Sequence, residues 1–120
     1  MSQILLVDTD ATRLRALEDI LRAAGFEVSA VRNGNRALAL AIAAAFDYDA
    51  IISEHLLFCC TGADLASKAR ADGIRIPIIV LSGERGMEPR YAGLDVRILY
   101  RPVRPDELIA ALNQEIALQV

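Results

Sequence analysis

Ile4-Leu5-Leu6-Val7 runs straight into Asp8-Thr9-Asp10, and the reading of the whole chain follows from that junction. A short unbroken apolar run bounded by polar residues fits a strand buried on both faces. Three other stretches repeat the pattern: Ala50-Ile51-Ile52-Ser53 ends in Glu54, Pro77-Ile78-Ile79-Val80-Leu81 in Ser82-Gly83, and Val96-Arg97-Ile98-Leu99-Tyr100 in Arg101-Pro102. As parallel neighbours in one sheet, their carboxyl ends would gather acid, acid, hydroxyl and cation in a single crevice, where open α/β sheets place their sites.

Helical segments separate these strands. Leu14, Leu17, Leu21 and Ala24 recur at helical spacing, and Gly25 stops that helix. Glu27 to Val31 reads as a second strand, followed by the turn-like Asn33-Gly34-Asn35. The Ala-rich stretch from about Arg36 to Ala45 predicts a second helix, and a third is expected from roughly Ala63 to Ala71, closed by Asp72-Gly73. Gly83, Gly86, Pro89 and Gly93 crowd the segment before the last strand, so any helix there must be short or distorted. Pro105-Asp106-Glu107 opens a final helix, with acids in its first turn and Ile109, Leu112 and Ile116 on its buried side. Five strand-then-helix repeats predict an α/β fold, a parallel sheet covered on both faces, in one domain over residues 1–120.

Composition bounds the function. Hydrophobic residues make up 54% of the chain and charged ones 24%, a globular balance. A net charge of −3 argues against general affinity for nucleic acid, and no DNA partner is expected. No apolar run approaches the ~20 residues that span a bilayer, and Met1-Ser2-Gln3 lacks a basic leader, so the expectation is a cytoplasmic protein with no membrane partner. No output domain is expected after the final helix. Cys59 and Cys60 are adjacent, which disfavours a structural disulfide.

In order and spacing, these elements resemble the receiver domain of bacterial response regulators, over essentially all 120 residues. The resemblance rests on the strand into Asp8, on Asp49 to Glu54 followed by the Gly62 turn, on the Pro77 strand into Ser82-Gly83, and on Arg101-Pro102 before the last helix. It implies a flavodoxin-like, doubly wound (βα)5 three-layer sandwich with strand order 2-1-3-4-5, and a non-enzymatic signalling role in a two-component or phosphorelay pathway. In that family an acidic pair after the first strand holds Mg²⁺, and an aspartate after the third accepts a phosphoryl group from a histidine kinase. A Ser or Thr and a Lys stabilise that group, and an aromatic residue on the fifth strand switches rotamer.

This chain departs from the pattern at nearly every step. Asp8 matches the first acid, but Thr9 stands at the second; Asp10 is either a substitute ligand or the N-cap of the first helix. The acceptor position holds Glu54, one methylene longer than aspartate, enough to misalign an in-line displacement. Ser82 fits the hydroxyl role, Arg101 replaces Lys, Ile98 stands where the switch aromatic would be, and Phe58 replaces a loop proline. The implication is a pseudo-receiver with no catalytic residue and no cofactor. Asp8 and Asp10 would make at most a weak Mg²⁺ site.

Several readings follow from these residues. Glu54 paired with Arg101 would imitate a phosphorylated aspartate, or else both side chains are simply solvated at the crevice. Docking on a histidine kinase, a response regulator or a second copy is expected through the face of the fourth helix, fifth strand and fifth helix, around Ile98, Tyr100 and Ile109. Some degenerate receivers of the family this chain resembles bind cyclic di-GMP through arginines near this face, and Arg85, Arg90, Arg97, Arg101 and Arg104, with Tyr91 and Tyr100 for stacking, make that the alternative reading. A third reading keeps phosphorylation on another carboxylate, Asp8 or Asp10. His55, Cys59 and Cys60 are soft ligands, but adjacent cysteines do not offer zinc geometry, and the cysteines are read as apolar loop residues.

Overall fold

The computed structural model describes residues 2–37, 47–58 and 60–119. Its elements in chain order are β1 (Gln3–Val7), α1 (Ala11–Ala23), β2 (Glu27–Val31), β3 (Ala50–Glu54), α2 (Gly62–Ala71), β4 (Ile78–Ser82), a 3-10 turn (Glu88–Tyr91), β5 (Val96–Tyr100) and α3 (Pro105–Ala117). All strand pairings are parallel, in the order β2-β1-β3-β4-β5. This is the flavodoxin-like arrangement that the resemblance implied.

Alternation along the strands divides the core. Leu5, Val7, Ile51, Ile78 and Val80 face Leu65, Ala66 and Ala69 of α2, together with Tyr91. On the other side of the sheet, Ile4, Leu6, Ile52, Ile79 and Leu81 meet Leu14 and Leu21 of α1 and Leu108, Ala111 and Leu112 of α3. Because both sides of β3 and β4 are covered, every residue of those two strands is buried, polar ones included. Glu54 and Ser82 are therefore buried by their place in the strands.

The helix ends follow from local chemistry. The Asp10 carboxylate accepts from Arg13 N–H and caps α1, which settles the role of Asp10 as an N-cap. Thr61 and Asp64 form a reciprocal capping box at α2, and Pro105 opens α3. Gly25 follows α1 at φ +94°, a conformation that favours glycine.

One boundary needs correction. Asn33-Gly34-Asn35, expected as a turn, starts a helical segment, with residues 34–37 helical. Asn33 Oδ1 accepts from the N–H groups of Asn35 and Arg36, so the asparagine acts as a cap and brings the start forward of Arg36. The rest of the helix expected from Arg36 to Ala45 lies outside the described residues. Between β4 and β5 the chain makes only the 3-10 turn, as the glycines and Pro89 there predict.

Arg70 on α2 holds the far end of the sheet in a way its sequence position does not announce. Its guanidinium donates to the carbonyls of Leu94, Ile74, Ile76 and Asp95, tying the loop before β4 to the loop before β5. Among the described residues, no helix is long and apolar enough to cross a membrane.

Candidate functional site

The strand order puts β3 between β1 and β4, so the carboxyl ends of the strands converge on Glu54. Asp8 and Glu54 are 0% and 5% exposed, respectively. Arg101, just past β5, donates from Nη2 to Glu54 Oε2. A second cation joins it. Arg13, in the first turn of α1, donates from Nε to Asp8 Oδ2 at 2.6 Å and from Nη2 to Asp8 Oδ1 at 2.9 Å. The same Nε stands 3.7 Å from Glu54 Oε2.

Burial pushes the Glu54 carboxyl up to about 7, and neighbouring Asp8 adds to the rise, while Arg101 and Arg13 pull it back. Desolvation thus outweighs attraction, and the pair holds geometry more than it adds stability. The hydrogen bond to Asp8 raises Arg13 above the ordinary guanidinium value, so it remains a cation.

Sequence reasoning missed Arg13, although its spacing carried a signal. Three residues past the N-cap, it lies one helical turn beyond the end of β1 and next to the buried Leu14, where a long side chain can fold back over the strand end.

These side chains do not fit a hard divalent cation. Such an ion needs several open oxygen ligands. Both Asp8 oxygens are taken by Arg13, with Asp10 N–H also donating to Oδ1 at 2.9 Å. The Thr9 carbonyl accepts from Arg32, and the Asp10 carboxylate caps its helix. A +2 ion about 4 Å from one guanidinium would meet roughly 8 kcal/mol of repulsion at an effective dielectric of about 20. Among the described residues, no three His, Cys, Asp or Glu side chains are grouped as a metal-binding set.

The other expected site residues scatter. Ser82 is buried at the crevice, but its hydroxyl donates to the Glu84 carbonyl and accepts from Glu84 N–H, closing a local turn. Of the five arginines, Arg85 and Arg97 lie on opposite sides of β5, and Arg90 is exposed on the 3-10 turn. Arg85 lies over the Tyr100 ring at 5.6 Å, whereas Arg97 on the opposite side of β5 reaches Gln114 and Glu115 of α3. Arg104 pairs with Asp106 and Glu107, and Arg101 with Glu54. Ile98 packs toward the α2 side of the sheet and Ile109 toward the α1 and α3 side, both half-buried. The Tyr100 hydroxyl accepts from Met87 N–H at 3.0 Å.

His55, beside Glu54, is a core residue. Its Nδ1 is 2.7 Å from the Tyr91 hydroxyl, with the rings edge-on, and both side chains are buried. Burial lowers the affinity of the imidazole for a proton. Tyr91→Phe would leave Nδ1 without this partner, and chemical denaturation should show a loss of about 1–2 kcal/mol. Cys59 lies outside the described residues, and Cys60 is partly buried against the core. Leu56 and Phe58 are exposed in the loop after β3 and, with Thr9, Asp10, Arg13 and Leu57, line a hollow of about 350 Å³.

Comparison with known proteins agrees with this fold. The family model described as the response regulator receiver domain matches residues 4–113. The "Probable transcriptional regulator ycf29" of Pyropia yezoensis is 30% identical over 123 residues, covering 98% of this chain and 54% of that protein. The "Cell cycle response regulator CtrA" of Brucella ovis is 27% identical over 114 residues, covering 92% and 48%. The crystal structure of a response regulator receiver protein from Sinorhizobium medicae WSM419 superposes with a TM-score of 0.86 at 31% identity, covering 99% of this chain and 97% of the other. This chain belongs to the response regulator receiver domain family, the receiving module of two-component signalling. It spans about half the length of these two curated relatives.

Proposed function

We propose that this receiver works without phosphorylation, docking on another protein of a two-component pathway, a histidine kinase or a response regulator. The observation that carries the reading is that both acids at the crevice already have a cation supplied by the chain: Arg101 on Glu54 and Arg13 on Asp8. Phosphoryl transfer needs a carboxylate oxygen as acceptor and positive charge to neutralise the group that arrives. Here the carboxylates are engaged and the cations beside them are already neutralised. Asp8 is forked by Arg13, Asp10 is committed to its helix, and Glu54 is engaged by Arg101.

The extra methylene of Glu54 carries its charge outward to Arg101, as a phosphorylated aspartate would carry its own charge. The ion pair ties the end of β3 to the end of β5 and holds one arrangement irrespective of any kinase. Docking would use the side formed by the 3-10 turn, β5 and α3, around Ile98, Tyr100 and Ile109. In support, β5 is an edge strand and none of its five residues is fully buried. Edge strands are ready-made surfaces for association. A cyclic dinucleotide would need the arginines on one surface, and their division across β5 gives that alternative less support.

The test is incubation of the protein with acetyl phosphate and Mg²⁺, followed by intact-mass and peptide mapping. The expected result is no phosphoryl adduct. An adduct on Asp8, Asp10 or Glu54 would overturn the reading and revive the phosphorylatable receiver.

A further inference from the structure

From the same crevice we infer that Arg13 is a built-in counter-ion, a side-chain cation standing where the family pattern calls for a divalent metal and holding the Asp8 oxygens against one. Two features of this chain separate it from that pattern, and they act differently. Thr9 takes away one carboxylate, which weakens a metal site but leaves Asp8 available. Arg13 takes both oxygens of Asp8 in a bidentate fork and adds a positive charge. Such a fork matches a carboxylate in geometry as well as charge.

The placement is specific. The Asp8 side chain is 1% exposed, so water is a poor competitor for its oxygens. Asp10 N–H closes the remaining approach to Oδ1 at 2.9 Å, and Arg13 Nε stands 2.6 Å from Asp8 Oδ2 and 3.7 Å from Glu54 Oε2, within reach of both buried acids. The cation is mounted on the first turn of a helix whose cap and buried Leu14 fix its position. Restoring the missing carboxylate at position 9 should therefore not restore metal binding while Arg13 is present.

This inference deepens the phosphorylation-independent reading and rests on it, but it has a separate readout. Wild type, Thr9→Asp, Thr9→Asp/Arg13→Met and Thr9→Asp/Arg13→Gln would be titrated with Mn²⁺, with free ion followed by electron paramagnetic resonance. Melting curves with and without Mn²⁺ accompany the titrations. Wild type and Thr9→Asp should bind no Mn²⁺ below millimolar concentration. At least one of the double variants should bind at least tenfold more tightly than Thr9→Asp and melt higher when Mn²⁺ is added. Two double variants guard against a single failure to fold, since Gln keeps a polar group where Met leaves an apolar one. Equal affinity with and without Arg13, tight binding by wild type, or no binding by any double variant that folds would each overturn the inference. A phosphoryl adduct on wild type without Mn²⁺ binding would defeat the functional reading alone. Mn²⁺ binding by wild type without an adduct would defeat this one alone.

Discussion

Arg101→Ala should lower stability by roughly 2–4 kcal/mol at pH 8 and by less than about 1 kcal/mol at pH 5. The asymmetry comes from Glu54. Its carboxyl ionises at about 7 in the folded protein, against 4.5 for an unperturbed side chain, and burial is the main cause. A group whose folded value is raised contributes stability that is fully present below pH 4.5 and is lost as pH rises through 7. The wild type should therefore lose stability across that window, by an amount on the order of 1–3 kcal/mol. Removing Arg101 takes away the nearest positive charge, raises the carboxyl further and extends the loss to higher pH. Glu54→Gln removes the titration, so its pH dependence should be flatter than that of the wild type between pH 5 and 8. Urea denaturation at pH 5, 6, 7 and 8 measures all three proteins. An Arg101→Ala effect of equal size at pH 5 and pH 8 would show that Glu54 is not the group responding.

Gly62→Ala is the second large effect, a loss of about 2–4 kcal/mol from one added methyl group. A Cβ at this position would lie 2.7 Å from the Tyr91 hydroxyl and 3.0 Å from the Glu54 carbonyl oxygen. Neither neighbour can yield easily. Tyr91 is buried and its hydroxyl is bonded to His55, while Glu54 O belongs to the end of β3. Gly62 N–H donates to the His55 carbonyl at 2.7 Å, which holds the backbone of α2 close to the strand end. To admit the methyl, either the His55–Tyr91 bond breaks or α2 shifts away from β3. The melting temperature should fall by roughly 10 °C or more in a domain of this size. The Glu54–Arg101 pair should shift as well, because Glu54 and Gly62 are coupled through backbone. A melting temperature within a degree or two of wild type would mean that α2 repacks freely.

Much of this fold is legible in the sequence. Ile4 to Val7, Ala50 to Ile52 and Ile78 to Leu81 are apolar without interruption, and only strands covered on both sides can bury such runs in a parallel sheet. The polar residues that end those runs mark the crevice, and Glu54 and Arg101 stand there as candidates for a pair. Local rules were less complete. Asn33-Gly34-Asn35 satisfies the description of a turn and that of a helix cap equally well, and the choice depends on which N–H groups the asparagine side chain reaches.

Four arrangements were decided only by the tertiary structure. Arg13 reads as one of several exposed arginines on an amphipathic helix, until the packing of α1 against the sheet brings it over Asp8. The hydroxyl of Ser82 suits a phosphoryl group in chemistry, yet the turn after β4 gives it to Glu84. Arg85 and Arg97 belong to one basic stretch of sequence, but strand alternation turns Arg97 toward α3 and Tyr100 to the other side of β5, where Arg85 lies over its ring from the loop after β4. His55 and Tyr91 are 36 residues apart and meet only because α2 and the 3-10 turn close over the same strand end. The strands, their parallel arrangement and the residue types at the crevice are written locally in the chain, since hydrophobic periodicity and strand length are local properties. Which charge met which was left to the tertiary structure, because a guanidinium on a flexible stem can choose among several carboxylates within reach, and only the packed backbone sets those distances.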